Sequence, residues 1–412
     1  MAWIGLLGSK AVAAVGVGGM YVWLSQGLAS LARMGGQVHV AQCLGRGDKE
    51  QAHRYAKTAV QLSILLGLAF AAVSLLFTDP LVGFFKLEGV KTILDAKIYM
   101  RITCGLILFS FLNLTLTGLY TAQGDSKTPF VANFIGLLIN LLLDPLLILG
   151  VGPFPRIEVA GAAVATVSAQ LVVMLVMMVG VFRSKKEENV LKGIRLFEPF
   201  SKEELGNICK IGGPTAIQGM VYCMISMVLT RMVAAFGAEA IATQRVGGQI
   251  ESVSWNTADG FAAALNAFVG QNYGAKKMDR VQEGYRISFW TVAIWGALIM
   301  LAFIIFPGPI AGVFFHEEKA MEIAISYLII IGFSEAFMCV ELMTIGALSG
   351  LGKTKLCSVI SITATSMRIP LAMVLSRTSL GLDGIWWALT LTSVAKGIIF
   401  YLTFRYQMRE KC

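Results

Sequence analysis

An all-α polytopic membrane protein, built as two pseudo-twofold-related six-helix lobes, is the fold class this sequence predicts, and three observations predict it. Of 412 residues, 56% are hydrophobic and only 14% are charged, against about 25% charged in a soluble domain. Eleven mainly apolar runs each reach the roughly 20 residues that a helix needs to cross a bilayer. Two stretches of the first half also recur, in the same order, in the second. The charge deficit excludes an ordinary soluble enzyme, a disordered chain and a secreted disulfide scaffold. The net charge of +9 would suggest nucleic acid in a soluble protein. Here it reads as basic cytoplasmic loops, and no nucleic-acid partner is expected.

The eleven full spans fall at 10–43, 57–85, 98–123, 129–151, 158–182, 208–236, 239–272, 284–315, 320–350, 356–377 and 383–404. Residues 1–7, MAWIGLL, read as the N-terminal stub of another. Several runs exceed the minimum length, so tilt, kinks or ends protruding into water are expected. The longest polar stretch, 183–207, reads as a cytoplasmic linker between an N-terminal lobe (1–182) and a C-terminal lobe (208–412). Within it Ser201 and Glu204 have the spacing of a capping box, which predicts a short amphipathic helix. Loops at 44–57, 124–128, 183–210, 273–286, 351–355 and 405–412 hold 21 Lys and Arg, and the opposite side holds 8. The positive-inside rule makes the richer side cytoplasmic, C-terminus included, in a multi-pass protein of the cell membrane. The first residues lack a basic n-region and a small-residue cleavage site, so no cleavable signal is expected. The seven Cys, odd in number and without CxxC, read as reduced, buried thiols. Cys412, as the last residue, is not a prenylation box.

Sliding the chain by 229 aligns 8–45 on 237–274 without a gap. Eleven of 38 positions are identical, among them Gly8, Gly18, Gly19, Ser25, Gln42 and Gly45. Sliding by 228 aligns 99–127 on 327–355 with seven of 29 identical, including Tyr99, Gly118 and Gly124. The shift relates spans of the same orientation, so the repeat is parallel, with its pseudo-twofold along the membrane normal. Transporters built in this way bind substrate between lobes that rock to alternate access. The same register pairs Met1 with Thr230, mid-way along a span, so a helix of about 20 residues is expected to precede Met1.

VGQNYGA (269–275) and its partner AQCLGRGD (41–48) follow the second helix of each lobe. GLYTAQGDSKTP (118–129) and GALSGLGKT (346–354) follow the fourth, and KIGGP (210–214) opens the second lobe. On this ordered set the chain resembles the multidrug and toxic compound extrusion family of cation-coupled efflux transporters, apparently lacking most of the first helix. The resemblance implies secondary antiport of amphipathic, cationic small molecules or drugs against H+ or Na+, with no cofactor, by a monomer in the bilayer. Two departures matter. Family members carry an acid in helix 1, and some branches carry a Glu about two turns after the KIGGP-type proline, where this chain reads TAIQGMVYCMIS.

Ten charged side chains lie well inside apolar runs, and each would cost about 2.5–3.5 kcal/mol facing lipid at the bilayer centre. Glu251 lies about 18 Å, and Glu335 about 22 Å, below the outer ends of their helices, which puts both near the midplane. Glu251, Trp255 and Asp259 follow i, i+4, i+8 and so share one helical face. An acid–aromatic–acid face suits an amphipathic cation; a packed polar stripe is the alternative. Glu341, Arg368 and Lys396 each come out about 16–18 Å from the cytoplasmic side, so a buried pair or triad is expected. Glu341 is either one end of that ion pair or a third coupling site beside Glu251 and Glu335. Arg33, Asp144, Arg231 and Arg245 lie nearer interfaces and read as structural. Gln271 and Asn272 read as helix-end caps. Met220, Met224 and Met227 recur at helical spacing; core packing is the default, although methionine surfaces also suit varied ligands, with Met224 the candidate.

Other motifs fail. GLGKT at 350–354 lacks the leading Gly of a phosphate loop, since residue 347 is Ala. His316 does not open an HExxH, and with three His in all no metal site is expected. Asn113-Leu-Thr115 matches a glycosylation triplet but lies inside a span. The expectation is a non-enzymatic antiporter. The alternative is a lipid-linked precursor flippase of the same superfamily, disfavoured by the mid-depth acids and by a span count below about fourteen.

Overall fold

The computed structural model describes the chain except residues 1, 86, 88, 152–154, 185–188, 197, 200, 316 and 410–412. His316, Cys412 and part of the 183–207 linker therefore lie outside the described residues. Among the described residues all regular secondary structure is helical, and the chain divides into two compact units, 1–44 with 48–219 and 45–47 with 220–412. Unit 1 holds α1 (Ala2–Gly5), α2 (Ser9–Arg46), α3 (Lys49–Leu76), α4 (Thr78–Gly83), α5 (Val90–Gly105), α6 (Leu108–Ala122), α7 (Lys127–Leu149), α8 (Glu158–Arg183) and the start of α9 (Lys202–Ala234). Unit 2 holds the rest of α9, α10 (Ala238–Gly274), α11 (Met278–Ile305), α12 (Pro307–Gly312), α13 (Glu318–Gly332), α14 (Glu335–Gly350), α15 (Thr354–Ser366), α16 (Arg368–Leu375) and α17 (Leu382–Arg409).

The backbone carries the sequence repeat in its special conformations. Gly8 (φ 102°) precedes α2 as Gly237 (φ 111°) precedes α10. Gly124 (φ 85°) separates α6 from α7 as Gly352 (φ 79°) separates α14 from α15. Left-handed backbone of this kind favours glycine because a Cβ would clash. Helix starts are capped locally: the Gln51 amide donates to Asp48 Oδ1 at 2.9 Å, and the Thr128 amide and hydroxyl donate to Asp125 at 3.0 and 2.6 Å.

Long apolar runs resolve into more pieces than the hydropathy suggests. The run at 98–123 is α5 and α6, bent by 42°, and the run at 320–350 is α13 and α14, bent by 49°. Both breaks follow a glycine, Gly105 and Gly332, a residue that weakens the helical ladder. Eight helices are long and apolar enough to cross a bilayer, or up to ten if each bent pair is one span. Of the eleven expected, the one outside that set is α10. It has the length, 37 residues, but it carries Glu239, Arg245, Glu251 and Asp259 along with many amides and hydroxyls. Ser201 does open a helix, but not a short separate one. α9 runs unbroken for 33 residues through Pro214.

Unit 1 buries Tyr55, Leu119, Tyr120, Met177 and Ile208 in its largest core. A Cβ on Gly35 would lie 2.7 Å from the Ile208 side chain, so α2 and α9 touch through that glycine. The described part of the linker docks on α3. Gln61 Nε2 donates to the carbonyls of Leu196 and Glu198 at 2.9 and 2.7 Å. His53 Nδ1 meets the Val190 carbonyl at 2.7 Å, and Lys57 pairs with Glu198 at 2.8 Å. Unit 2 packs Leu265, Val269, Met343, Leu348, Phe400 and Phe404 into its main core. Among the described residues no cysteine is in a disulfide: the thiols at 43, 104, 223, 339 and 357 are buried, and that of Cys209 is exposed.

Candidate functional site

The bend between α13 and α14 puts a helix N-terminus inside unit 2, and Glu335 is its first residue. Small residues let its neighbours approach. A Cβ on Gly296 would fall 2.6 Å from Ala336 Cα, and one on Gly397 would fall 2.6 Å from the Phe337 carbonyl. α11 and α17 therefore press on α14, while Asn266 of α10 donates to the Gly346 carbonyl at 3.1 Å. Enclosed in this way, Glu335 is fully buried (0% exposed), and neither carboxylate oxygen meets a donor in good hydrogen-bond geometry among the described residues, although the Ser254 hydroxyl is near enough to act on its charge. The nearby Ser254 hydroxyl is paired with Cys339 Sγ at 3.4 Å. An unpaired buried carboxylate is expensive, and the positive end of the α14 dipole compensates only in part.

Glu251 lies one helix away on α10. Tyr327 of α13 donates its hydroxyl to Glu251 Oε2 at 3.3 Å. The ring sits in a notch at Gly247, one turn before Glu251, where any Cβ would overlap it. Tyr327 interacts electrostatically with both Glu251 and Glu335, and the two carboxylates act on each other. Two like charges in a poorly solvated site repel, and a cation shared between them relieves the repulsion. An arrangement of this kind, Glu251–Tyr327–Glu335, is chemically able to hold one small cation or proton reversibly.

Of the expected buried pair or triad among Glu341, Arg368 and Lys396, the pair forms and the triad does not. Lys396 of α17 pairs with Glu341 of α14 at 2.8 Å, both side chains 6% exposed. Arg368 is not Glu341's partner. It is the first residue of α16 after the break at Met367, and it donates to Thr392 Oγ1 at 3.0 Å and Ser393 Oγ at 2.9 Å. Its guanidinium also lies 5.9 Å from the Tyr222 ring centroid and near enough to Glu251 to act on its charge. Depth along a helix puts all three charges at one level. It does not say which way each points, and Lys396 is the one aimed at Glu341. Glu341 Oε2 has no hydrogen-bond partner among the described residues.

Trp255 is 42% exposed and Asp259 is exposed, on the same continuous helix as the half-buried Glu251, so the i, i+4, i+8 face exists. Met224 of α9 is 54% exposed. It makes no side-chain hydrogen bond or ring contact among the described residues. Arg33 packs its stem on Gly118 within unit 1. Tyr327 and Gly247 were not singled out from sequence. Their signal was present, because Gly18 and Tyr99 are their repeat mates and make the same ring-in-notch contact in unit 1. Among the described residues no cluster of three or more His, Cys, Asp or Glu is placed to hold a metal ion.

Comparison with known proteins places this site in context. The family profile described as MatE matches residues 1–146 and 214–374. The chain is 28% identical over 422 residues to the probable multidrug resistance protein NorM of Thermotoga maritima, covering 99% of this chain and 88% of that one. It is 27% identical over 381 residues to the probable multidrug resistance protein YoeA of Bacillus subtilis, covering 92% and 82%. Among solved structures it matches a MOP superfamily transporter from Pyrococcus furiosus with TM-score 0.91 at 23% identity, covering 100% and 90%. It matches an outward-facing multidrug resistance MATE family transporter with TM-score 0.91 at 22% identity, again covering 100% and 90%. At these identities the structures establish the fold alone.

Proposed function

Because the chain belongs to the MatE family of multi-pass membrane transporters, we propose that it is a secondary active antiporter. It exports amphipathic, cationic small molecules or drugs in exchange for H+ or Na+ by alternating access between two lobes (1–182 and 208–412) joined by the 183–207 linker. The names of the relatives support extrusion of drugs. The observation that carries the coupling role is Glu335: a fully buried carboxylate with no ion-pair partner among the described residues and only the Ser254 hydroxyl as a nearby neutral donor, beside Glu251 and Tyr327. Such a group is held in place only if a cation or proton visits it. Trp255, Asp259 and Met224 form the substrate-facing set, with the indole supplying cation–π attraction. Glu341 is the weaker coupling candidate because Lys396 already neutralises it. No cofactor is required, and a monomer in the cell membrane with its C-terminus cytoplasmic suffices.

The test is efflux of a fluorescent organic cation from everted vesicles, with a pH gradient and a Na+ gradient imposed in turn. One of the two gradients is expected to drive efflux by the intact protein. Glu335→Gln, at matched protein level, is expected to lower the driven rate by at least about tenfold. Driven efflux unchanged in Glu335→Gln would overturn the coupling assignment. Efflux insensitive to both gradients would overturn antiport.

A further inference from the structure

The N-terminal part of α11, Asp279 to Trp290, and the C-terminal part of α17, Tyr401 to Arg409, enclose a groove of about 740 Å³ within unit 2, remote in sequence from the Glu251–Glu335 cluster. Its floor is aromatic: Tyr285 stacks on Phe404 with ring centroids 3.6 Å apart, and Phe289 lies 5.2 Å from Tyr401. Its rim is basic. Arg286, Arg405 and Arg409 line it, against the carboxylates of Asp279 and Glu283. None of the three guanidiniums forms an ion pair among the described residues, although Arg405 lies 5.9 Å over the Tyr401 ring. Beyond Arg286 the exposed face of α11 turns apolar, with Trp290, Ile294 and Leu298 each more than half exposed at successive turns. Arg286 is the innermost charge of α11, and on α17 only the buried Lys396, paired with Glu341, lies further in than Arg405 before the N-terminal Asp383. Aromatics followed by an apolar stripe mark the boundary between headgroups and hydrocarbon.

We propose that this groove is a specific site for one anionic phospholipid of the leaflet on this side. The phosphodiester lies between Arg286 and Arg405, where forked guanidinium donors match its oxygens. An acyl chain runs over Trp290 and along Ile294 and Leu298. The three arginines outnumber the two carboxylates, and the carboxylates stand nearer the start of α11, so the field at the inner end is positive. A neutral hydrocarbon or a detergent tail has no use for that rim, and a soluble anion has no use for the aromatic floor.

Native mass spectrometry of the detergent-solubilised full chain, titrated with phosphatidylglycerol or phosphatidylcholine, tests it. One phosphatidylglycerol is expected to be retained where phosphatidylcholine is not. Each arginine near the surface contributes about fivefold in affinity, so Arg286→Gln with Arg405→Gln is expected to weaken retention about 25-fold. Lys353→Gln with Lys355→Gln, on another loop, is expected to leave it unchanged. Equal retention of both lipids, or equal loss in both double variants, would overturn the proposal and leave only a diffuse surface field. Should the arginine variant fail to fold, quenching by brominated lipid decides: bromo-phosphatidylglycerol is expected to quench the emission component lost in Trp290→Phe more than bromo-phosphatidylcholine does. Equal quenching overturns the site.

Discussion

Glu251, Glu335 and Glu341 all stand where the first unit carries uncharged residues. At the two repeat offsets their mates are Val22, Ile107 and Asn113. The repeat is visible around Glu251: Tyr99 sits on Gly18 as Tyr327 sits on Gly247, but of the two only Tyr327 hydrogen-bonds to a carboxylate among the described residues. Asn113 donates to the Gln170 carbonyl and side chain at 2.8 and 2.7 Å, a neutral counterpart of the Glu341–Lys396 ion pair. Removing one end of such a buried pair strands the other at about 3–5 kcal/mol. Glu341→Gln is therefore expected to lower the thermal unfolding midpoint in detergent, and Glu341→Gln with Lys396→Gln to recover most of the loss by recreating the amide pair of unit 1. A double variant no more stable than the single would contradict the pairing. Gly247→Ala places a methyl group in the Tyr327 ring, an overpacking of about 1–3 kcal/mol. It is expected to depress gradient-driven transport with substrate binding retained, and Tyr327→Phe is expected to do so less. Equal and full activity in both would remove Tyr327 from the site. The carboxylates themselves were legible as charges in apolar runs. The choice of Lys396 over Arg368 as the partner of Glu341 was not, because spacing gives depth but not direction.

Helix boundaries were legible where a glycine marks them, as at Gly124 and Gly352, but the start of α3 at Lys49, capped by Asp48, was not, because the polar first turns 49–56 read as loop. The bends at 106–107 and 333–334 were not legible either, since a single glycine, Gly105 or Gly332, inside a long apolar run does not by itself say that the helix breaks there. The continuity of α9 through Pro214 was hidden by its polar start, which belongs to the linker-facing side of unit 1. That side has a pH signature. The Lys57 ammonium holds the Glu198 carboxyl below its usual 4.5. A carboxylate with a lowered value stabilises the docked linker fully above pH 4.5, and that contribution is lost as pH falls through the lowered value. Hydrogen-exchange protection of the Leu196 and Glu198 region, corrected for intrinsic rate, is expected to hold from pH 7 to 5 and decline below about 4. Lys57→Gln should flatten the profile. A profile unaltered by Lys57→Gln would place the docking in the Gln61 and His53 contacts alone.

At the scale of the whole molecule, two like-built units differ in charge. Unit 2 contains three carboxylates and two bases, Arg368 and Lys396, in its interior cluster. With both bases charged, one further positive charge brings that cluster to neutrality. The helix too polar to pass as a span by composition, α10, carries Glu251, Trp255 and Asp259, and polarity of that kind is retained where it lines water or substrate. Composition made the all-helical, multi-pass class readable from sequence, because a bilayer leaves few alternatives. The site was readable only as a set of candidates, because which charges meet depends on side-chain direction. The measurement that bears most directly on the coupling role is transport by Glu251→Gln in proteoliposomes, assayed in two modes on one preparation. Uptake driven by an imposed pH or Na+ gradient is expected to be lost, while exchange of labelled for unlabelled substrate without a gradient continues. Gradient-driven transport at the normal rate in Glu251→Gln would contradict the coupling role of the Glu251–Tyr327–Glu335 cluster.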